Sequence, residues 1–154
     1  MKIAWVFPGQ GSQKIGMGGS VIKLETTKQR FDYASNLFGR DLYSICEKEA
    51  EQNDPQLDLN NTRNTQICLF LVESILLDSL KEKGYKPDFI AGHSLGEITG
   101  LYASDVLSFE QSVDLIKERS ELMSNACEGS MAAIIGFNRD CLLYTSPSPR
   151  DGLL

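Results

Sequence analysis

Ser94 stands in Gly92-His93-Ser94-Leu95-Gly96, a Gly-x-Ser-x-Gly pattern between a short apolar run at residues 87–91 and a stretch at residues 97–103 that can start a helix. That arrangement suits a sharp strand-to-helix turn, which lifts a serine hydroxyl clear of the backbone as a nucleophile. Gly92 and Gly96 fit such a turn because neighbouring backbones come too close for a β-carbon. The amides opening the following helix would face any charge developing near Ser94. By itself the pattern describes a glycine-rich turn around an ordinary serine equally well.

Two further groups bear on the chemistry. An apolar run at residues 2–7 breaks into Pro8-Gly9-Gln10-Gly11-Ser12-Gln13, a loop that offers backbone and amide N–H groups at the end of a strand. Open α/β folds place their ligands at that edge of the sheet. No Gly-x-x-x-x-Gly-Lys-Ser/Thr is present, and the spacing of Gly9, Gly11 and Gly16 does not suit a dinucleotide loop. A solvated Gly-Ser turn is the plainer alternative. The other group is Arg119, four residues after Leu115 and three before Leu122, which puts it on the apolar stripe of an expected helix at residues 108–127. A guanidinium there needs an anion. Spacing alone favours a structural ion pair, or a side chain that snorkels to the surface.

The elements that must position these groups follow from periodicity. Residues 2–7 read as a strand, and residues 26–37 as an amphipathic helix with Phe31, Ala34 and Phe38 in step and Gly39 as its stop. A shorter helix is expected at 42–50, and a polar surface loop holding Pro55 at 51–61. Residues 66–83 carry apolar side chains on most sides, so this helix belongs inside the domain, capped by Asn64 or Thr65 and ended by Gly84. It delivers the chain to a buried parallel strand before Ser94. Ser108 and Gln111 form a capping box for the last helix.

With 42% apolar residues, 154 residues suffice for one core. A net charge of −6 argues against a nucleic-acid binder. The apolar run before Pro8 is too short for a signal peptide, and no run reaches membrane-spanning length, so the expected compartment is the cytoplasm. Cys46, Cys68, Cys127 and Cys141 make no Cys-x-x-Cys and no metal spacing, so no metal site is expected.

The residues at 7–13, then Thr65-Gln66, then residues 92–97, then Arg119 with Met123, then residues 129–136 together resemble the malonyl-CoA:acyl-carrier-protein transacylase (S-malonyltransferase) family of fatty-acid biosynthesis. The resemblance runs from about residue 2 to about residue 138 and covers the N-terminal half of the family pattern. It implies an α/β fold: the truncated α/β-hydrolase-like large subdomain with a parallel sheet over residues 1–125, then the first strand of a ferredoxin-like small subdomain at 126–140. Residues 141–154 depart from the pattern, with two prolines in a Ser-rich stretch, and are expected to be an out-of-family, disordered or foreign tail.

The resemblance also implies roles. Ser94 would be the nucleophile, the backbone N–H groups of Gln10 and Leu95 the oxyanion hole, and Arg119 the clamp for the malonyl carboxylate. Gln66 and His93 would contact or shape the substrate pocket. Malonyl-CoA would be the acyl donor and acyl carrier protein the partner, with the phosphopantetheine carried by that partner. No cofactor, membrane or nucleic acid is expected, and the parent enzyme is expected to be a monomer. The family pairs its serine with a histidine far downstream, whereas His93 is the sole histidine here and precedes Ser94 directly. Successive side chains leaving a strand point to opposite faces, so the chain is expected to lack its general base and to react poorly alone. The acyltransferase domains of polyketide synthases share the pattern, and a serine hydrolase or an inactive fragment remain alternatives.

Overall fold

The computed structural model describes residues 2–49, 54, 56–126, 136, 138 and 140–141. Strand β1 (Ala4–Phe7) pairs in parallel with β2 (Phe89–Gly92), in the register Ala4 with Phe89 through Phe7 with Gly92. Parallel neighbours need a long crossover. Here it contains α1 (Thr27–Phe38), α2 (Leu42–Glu47) and α3 (Thr62–Glu82), after a 3-10 turn at Met17–Ser20. From β2 the chain passes into α4 (Leu95–Ala103) and then α5 (Phe109–Asn125).

Helix α1 buries Phe31 and Ala34 and stops at Gly39, which adopts a left-handed φ of 68° and returns its N–H to the Ser35 carbonyl. Helix α2 ends at Glu47, earlier than its sequence suggested. Helix α3 is the interior helix that its composition requires, with Phe70, Leu71 and Ile75 fully buried. Its start is a correction: the cap is Asn61, whose side chain accepts from Arg63 N–H. Asn64 and Thr65, the expected caps, lie inside the first turns. There the Asn64 amide donates to the Gln56 and Asp58 carbonyls, and the Thr65 hydroxyl to that of Leu59 at 2.6 Å. Their polar atoms serve the preceding loop, so they could not mark the helix end.

The main core joins α1, α2, α3, α4 and α5 through residues such as Phe31, Leu42, Phe70, Leu95 and Ile116. A second, smaller cluster of Phe7, Leu77 and Ala103, with Trp5 and Ile90 against it, seats the sheet on the helices. The strand before Ser94 is not buried on both faces as expected. Val6 is 71% exposed and Phe89 57%, because among the described residues helices cover one face of the sheet. An all-parallel sheet is ordinarily covered on both sides, which is why its strands read as continuous apolar runs. Helix α5 carries both halves of the capping box at Ser108 and Gln111.

The expected start of the small subdomain at 126–140 and the tail at 141–154 fall, apart from isolated positions, outside the described residues, as does Cys127. Cys46 and Cys68 are buried thiols. Among the described residues no group of side chains could hold a metal ion, and no helix is long and apolar enough to cross a membrane.

Candidate active site

Phe7 and Gly92 end the two paired strands side by side, and His93 N–H extends the pairing by donating to the Phe7 carbonyl at 3.0 Å. The Gln10 loop and the Ser94 turn therefore leave the same edge of the sheet together. Their backbones touch. A β-carbon on Gly96 would lie 2.2 Å from the Phe7 carbonyl oxygen, and one on Gly92 would lie 2.1 Å from that of Gly96. Both positions must be glycine for this turn to close.

Ser94 takes φ 55° and ψ −106°, a conformation that L-residues with a side chain rarely adopt. Such a residue costs on the order of 1–3 kcal/mol, which its surroundings must offset. Gly96 N–H donates to the His93 carbonyl at 3.0 Å and Glu97 N–H to that of Ser94 at 3.1 Å, so the strained residue is bracketed by the first bonds of α4. Leu95 opens that helix, where an N–H has no acceptor within the helix and faces outward with the positive end of the dipole.

The Gln10 loop is exposed but latched. Gln10 Nε2 donates to Thr62 Oγ1 at 3.1 Å, Gln13 Nε2 to Asn60 Oδ1 at 3.0 Å, and Gly11 N–H to Gln13 Oε1 at 2.7 Å. These bonds tie the loop to the start of α3, which a merely solvated turn would not need.

Arg119 reaches the turn from α5. Its Nη2 donates to Ser94 Oγ at 2.9 Å, and its Nη1 makes a short hydrogen bond to Gln66 Oε1. Gln66 is fully buried on α3 and sends Nε2 to Met123 Sδ at 3.3 Å, which fixes the orientation of its amide. None of the ion pairs found among the described residues involves Arg119, so the structural ion pair suggested by spacing is replaced by a serine and a glutamine.

The stripe around Arg119 also needs correction. Leu115 and Met123 are each 40% exposed and Leu122 is 66% exposed, whereas Val113, Ile116 and Ser120 make the buried face of α5. One residue along a helix turns the side chain by about 100°, and that step puts 115, 119 and 122 at the rim. With His93 and Ser94 they line an open groove of about 960 Å³. His93 is exposed in this groove, with its ring against Gly9. The hydroxyl of Ser94 is engaged by Arg119 and not by the neighbouring imidazole.

The arrangement brings Ser94, Leu95, Gln10, Gln66, Arg119 and His93 to one end of the sheet. It offers a hydroxyl on a strained turn, helix-terminal N–H groups and a cation that lines the groove. Sequence reading passed over one further pair. Glu73 on α3 accepts from Thr99 Oγ1 of α4 at 2.5 Å, and burial pushes the Glu73 carboxyl up to about 7 while the Thr99 bond pulls it down. A lone carboxylate in the apolar run of residues 67–77 was the available signal.

A model of the acyl transferase domain family matches residues 4–147. The chain belongs to the acyl transferase domain family. Members of that family transfer acyl groups. A malonyl CoA-acyl carrier protein transacylase of Synechocystis sp. is 45% identical over 139 residues, covering 90% of this chain and 45% of the relative. The polyketide biosynthesis malonyl CoA-acyl carrier protein transacylase PksC of Bacillus subtilis is 39% identical over 139 residues, covering 90% of this chain and 46% of its own length. Among solved structures, the Synechocystis sp. malonyl-CoA:ACP transacylase superposes with a TM-score of 0.81 at 43% identity, over 94% of this chain and 47% of that one. A malonyl-transacylase in complex with its type II polyketide acyl-carrier protein superposes with a TM-score of 0.72 at 35% identity, over 83% of this chain and 40% of that one. The chain thus spans about half the length of the curated relatives it matches, and its α/β architecture with a small parallel sheet matches the solved transacylase structures.

Proposed function

We propose that this chain carries the nucleophile, oxyanion donors and acyl clamp of a transferase that moves malonyl from malonyl-CoA to the phosphopantetheine thiol of an acyl carrier protein. The observation that carries the reading is Arg119 Nη2 at 2.9 Å from Ser94 Oγ, a guanidinium placed beside the hydroxyl that would hold the acyl group. Ser94 Oγ attacks the thioester carbonyl, a tetrahedral oxyanion forms and collapses, and the CoA thiolate leaves and takes up a proton. The carrier's thiol then attacks the malonyl-serine ester and Ser94 regains its proton. Leu95 N–H, with that of Gln10, would receive the oxyanion of each intermediate. The malonyl carboxylate would take over the Arg119 donors now spent on Ser94, and a planar guanidinium can hold it through two bonds where lysine cannot. Gln66, buried behind Arg119, would hold the guanidinium in plane, and His93 would shape the groove beside the acyl group.

The proton of Ser94 needs an acceptor. His93 is the sole imidazole of the sequence, and the Ser94 hydroxyl is bonded by Arg119 instead, so we infer a base from outside residues 1–154 and a feeble reaction by this chain alone. Residues 1–125 would belong to the large subdomain of the complete enzyme, and residues 126–140 would open its smaller, ferredoxin-like one. The relatives include a polyketide transacylase at 39% identity, and the chemistry proposed here serves a fatty-acid or a polyketide carrier protein alike, since both present the same thiol.

The test is intact-protein and peptide mass spectrometry after incubation with malonyl-CoA or acetyl-CoA, on this chain and on one extended to the length of its relatives. A malonyl adduct on Ser94 supports the reading, and an adduct confined to another residue rejects it. In Arg119→Ala the preference for malonyl over acetyl should fall by about 30-fold, the equivalent of about 2 kcal/mol, the low end for removing one partner of a hydrogen-bonded charge pair. Preference unchanged in Arg119→Ala would favour a plain serine hydrolase.

A further inference from the structure

Glu73 stands seven residues after Gln66, on the same stripe of α3. Thr99, which is fully buried, donates to its Oε2 at 2.5 Å, and its other oxygen, Oε1, is buried without a hydrogen-bond partner among the described residues. Helix α3 therefore grips both halves of the site. Gln66 takes Arg119, and Glu73 takes α4, the helix that begins directly after Ser94.

We propose that Glu73 is a positioning residue: its hydrogen bond with Thr99 sets the seating of α4 on α3, and so the place of Ser94 and the Leu95 N–H relative to Arg119. The inference rests on the reading of Ser94 as nucleophile and Leu95 as oxyanion donor.

The chemistry lies in where one hydroxyl hydrogen goes. Thr99 is four residues after Leu95, so its hydroxyl has a second acceptor within reach, the Leu95 carbonyl, through the back-bond that bends helices at threonine. An ionised Glu73 accepts the hydroxyl hydrogen and keeps it off that carbonyl. A neutral Glu73 can donate its own hydrogen to the threonine oxygen, and the hydroxyl hydrogen then turns to Leu95. Burial brings this exchange to about pH 7. Burial and the Thr99 bond are the causes of the Glu73 shift, and several charged groups of the surrounding helices have partners elsewhere, although Arg30 Nη1 is buried without a hydrogen-bond partner among the described residues. Arg30 of α1 and Tyr102 of α4 bond Asp78, Glu47 of α2 bonds Gly19 N–H, Glu97 of α4 lines the groove, and Arg119 of α5 holds Gln66 and Ser94.

The experiment is a pH titration followed by NMR of the 154-residue chain, reading the Glu73 carboxyl carbon and the amides of Leu95 and Gly96. A His93→Gln background removes the imidazole next to Ser94 from the readout. The expected result is that both amides follow the Glu73 midpoint, near 7, and that this component is lost in Glu73→Gln. In Thr99→Val the carboxyl should still titrate while the amides no longer follow, and this variant decides the matter if Glu73→Gln does not fold. Amides that stay still while Glu73 titrates, or that titrate unchanged in Glu73→Gln, would overturn the proposal. No acyl transfer is needed for this readout. A coupled titration here, with no malonyl ester formed on Ser94 in the chain extended to the length of its relatives, would sink the transferase reading and leave the placing of α4 by Glu73 standing, and acylation of Ser94 with uncoupled amides would do the reverse.

Discussion

Replacing Glu73 by glutamine should change how the stability of this chain depends on pH. In the folded state burial lifts the carboxyl from its ordinary 4.5 to about 7. A carboxyl whose folded value is raised binds its proton more tightly when folded, so its stabilising contribution is complete below 4.5 and is lost as the pH rises through about 7. Over that interval the folded chain keeps a proton that the unfolded chain has released, and stability falls by about 1.4 kcal/mol per pH unit. The rise of about 2.5 units caps the total at about 3 kcal/mol, and part-exposure of Glu73 should trim it toward about 2. Glutamine has nearly the same shape, keeps an acceptor for Thr99 and does not ionise. The assay is urea unfolding of both chains at half-unit steps between pH 5 and pH 8.5. The difference, parent minus variant, should fall steadily from pH 5 to about pH 7 and then level off. A difference that is flat across the range, or that grows with pH, would refute the claim that Glu73 is desolvated without a compensating charge.

Three other outcomes follow from named contacts. Gly96→Ala puts a β-carbon 2.2 Å from the Phe7 carbonyl and 2.7 Å from that of Pro8. Because these are backbone atoms, the cost should exceed the roughly 1–3 kcal/mol of ordinary overpacking, read as a melting temperature lowered by more than about 6 °C. Asp78→Ala strands Arg30, whose guanidinium lies 4.4 Å from the Phe109 ring centroid with its carboxylate partner removed. Breaking a largely buried pair costs about 3–5 kcal/mol, measurable as a lower urea midpoint, and a loss below about 1 kcal/mol would mean that the rings alone hold the cation. Ser108→Ala removes one half of the α5 capping box and should cost about 1 kcal/mol, with faster hydrogen exchange confined to the first turn of α5.

Much of the site was legible in the sequence because its signals are local. The glycines at 92 and 96 announce a backbone contact, the apolar run before them and the helix after them fix where the turn occurs, and Ser108 with Gln111 marks the start of α5 to the residue. Arg119 was legible as an oddity, a cation on an apolar stripe, but its partners were not. Gln66 and Ser94 lie 53 and 25 residues away in the chain, and spacing along one helix carries no information about which foreign side chain meets it. The caps of α3 were misplaced for a related reason, since Asn64 and Thr65 spend their polar atoms on a loop whose path no local rule gives.

The sequence by itself determined the α/β order, the strand-to-helix turn at Ser94 and the interior character of α3, because backbone sterics and the period of apolar residues act over a few positions. Only the tertiary structure decided that α3 holds Arg119 through Gln66 and α4 through Glu73, that the stripe at 115, 119 and 122 opens onto a groove, and that Val6 and Phe89 face outward. Each of those depends on how far one helix is rotated and shifted against another. That is fixed by the sum of many contacts between residues distant in the chain, none of which leaves a mark on its neighbours in sequence.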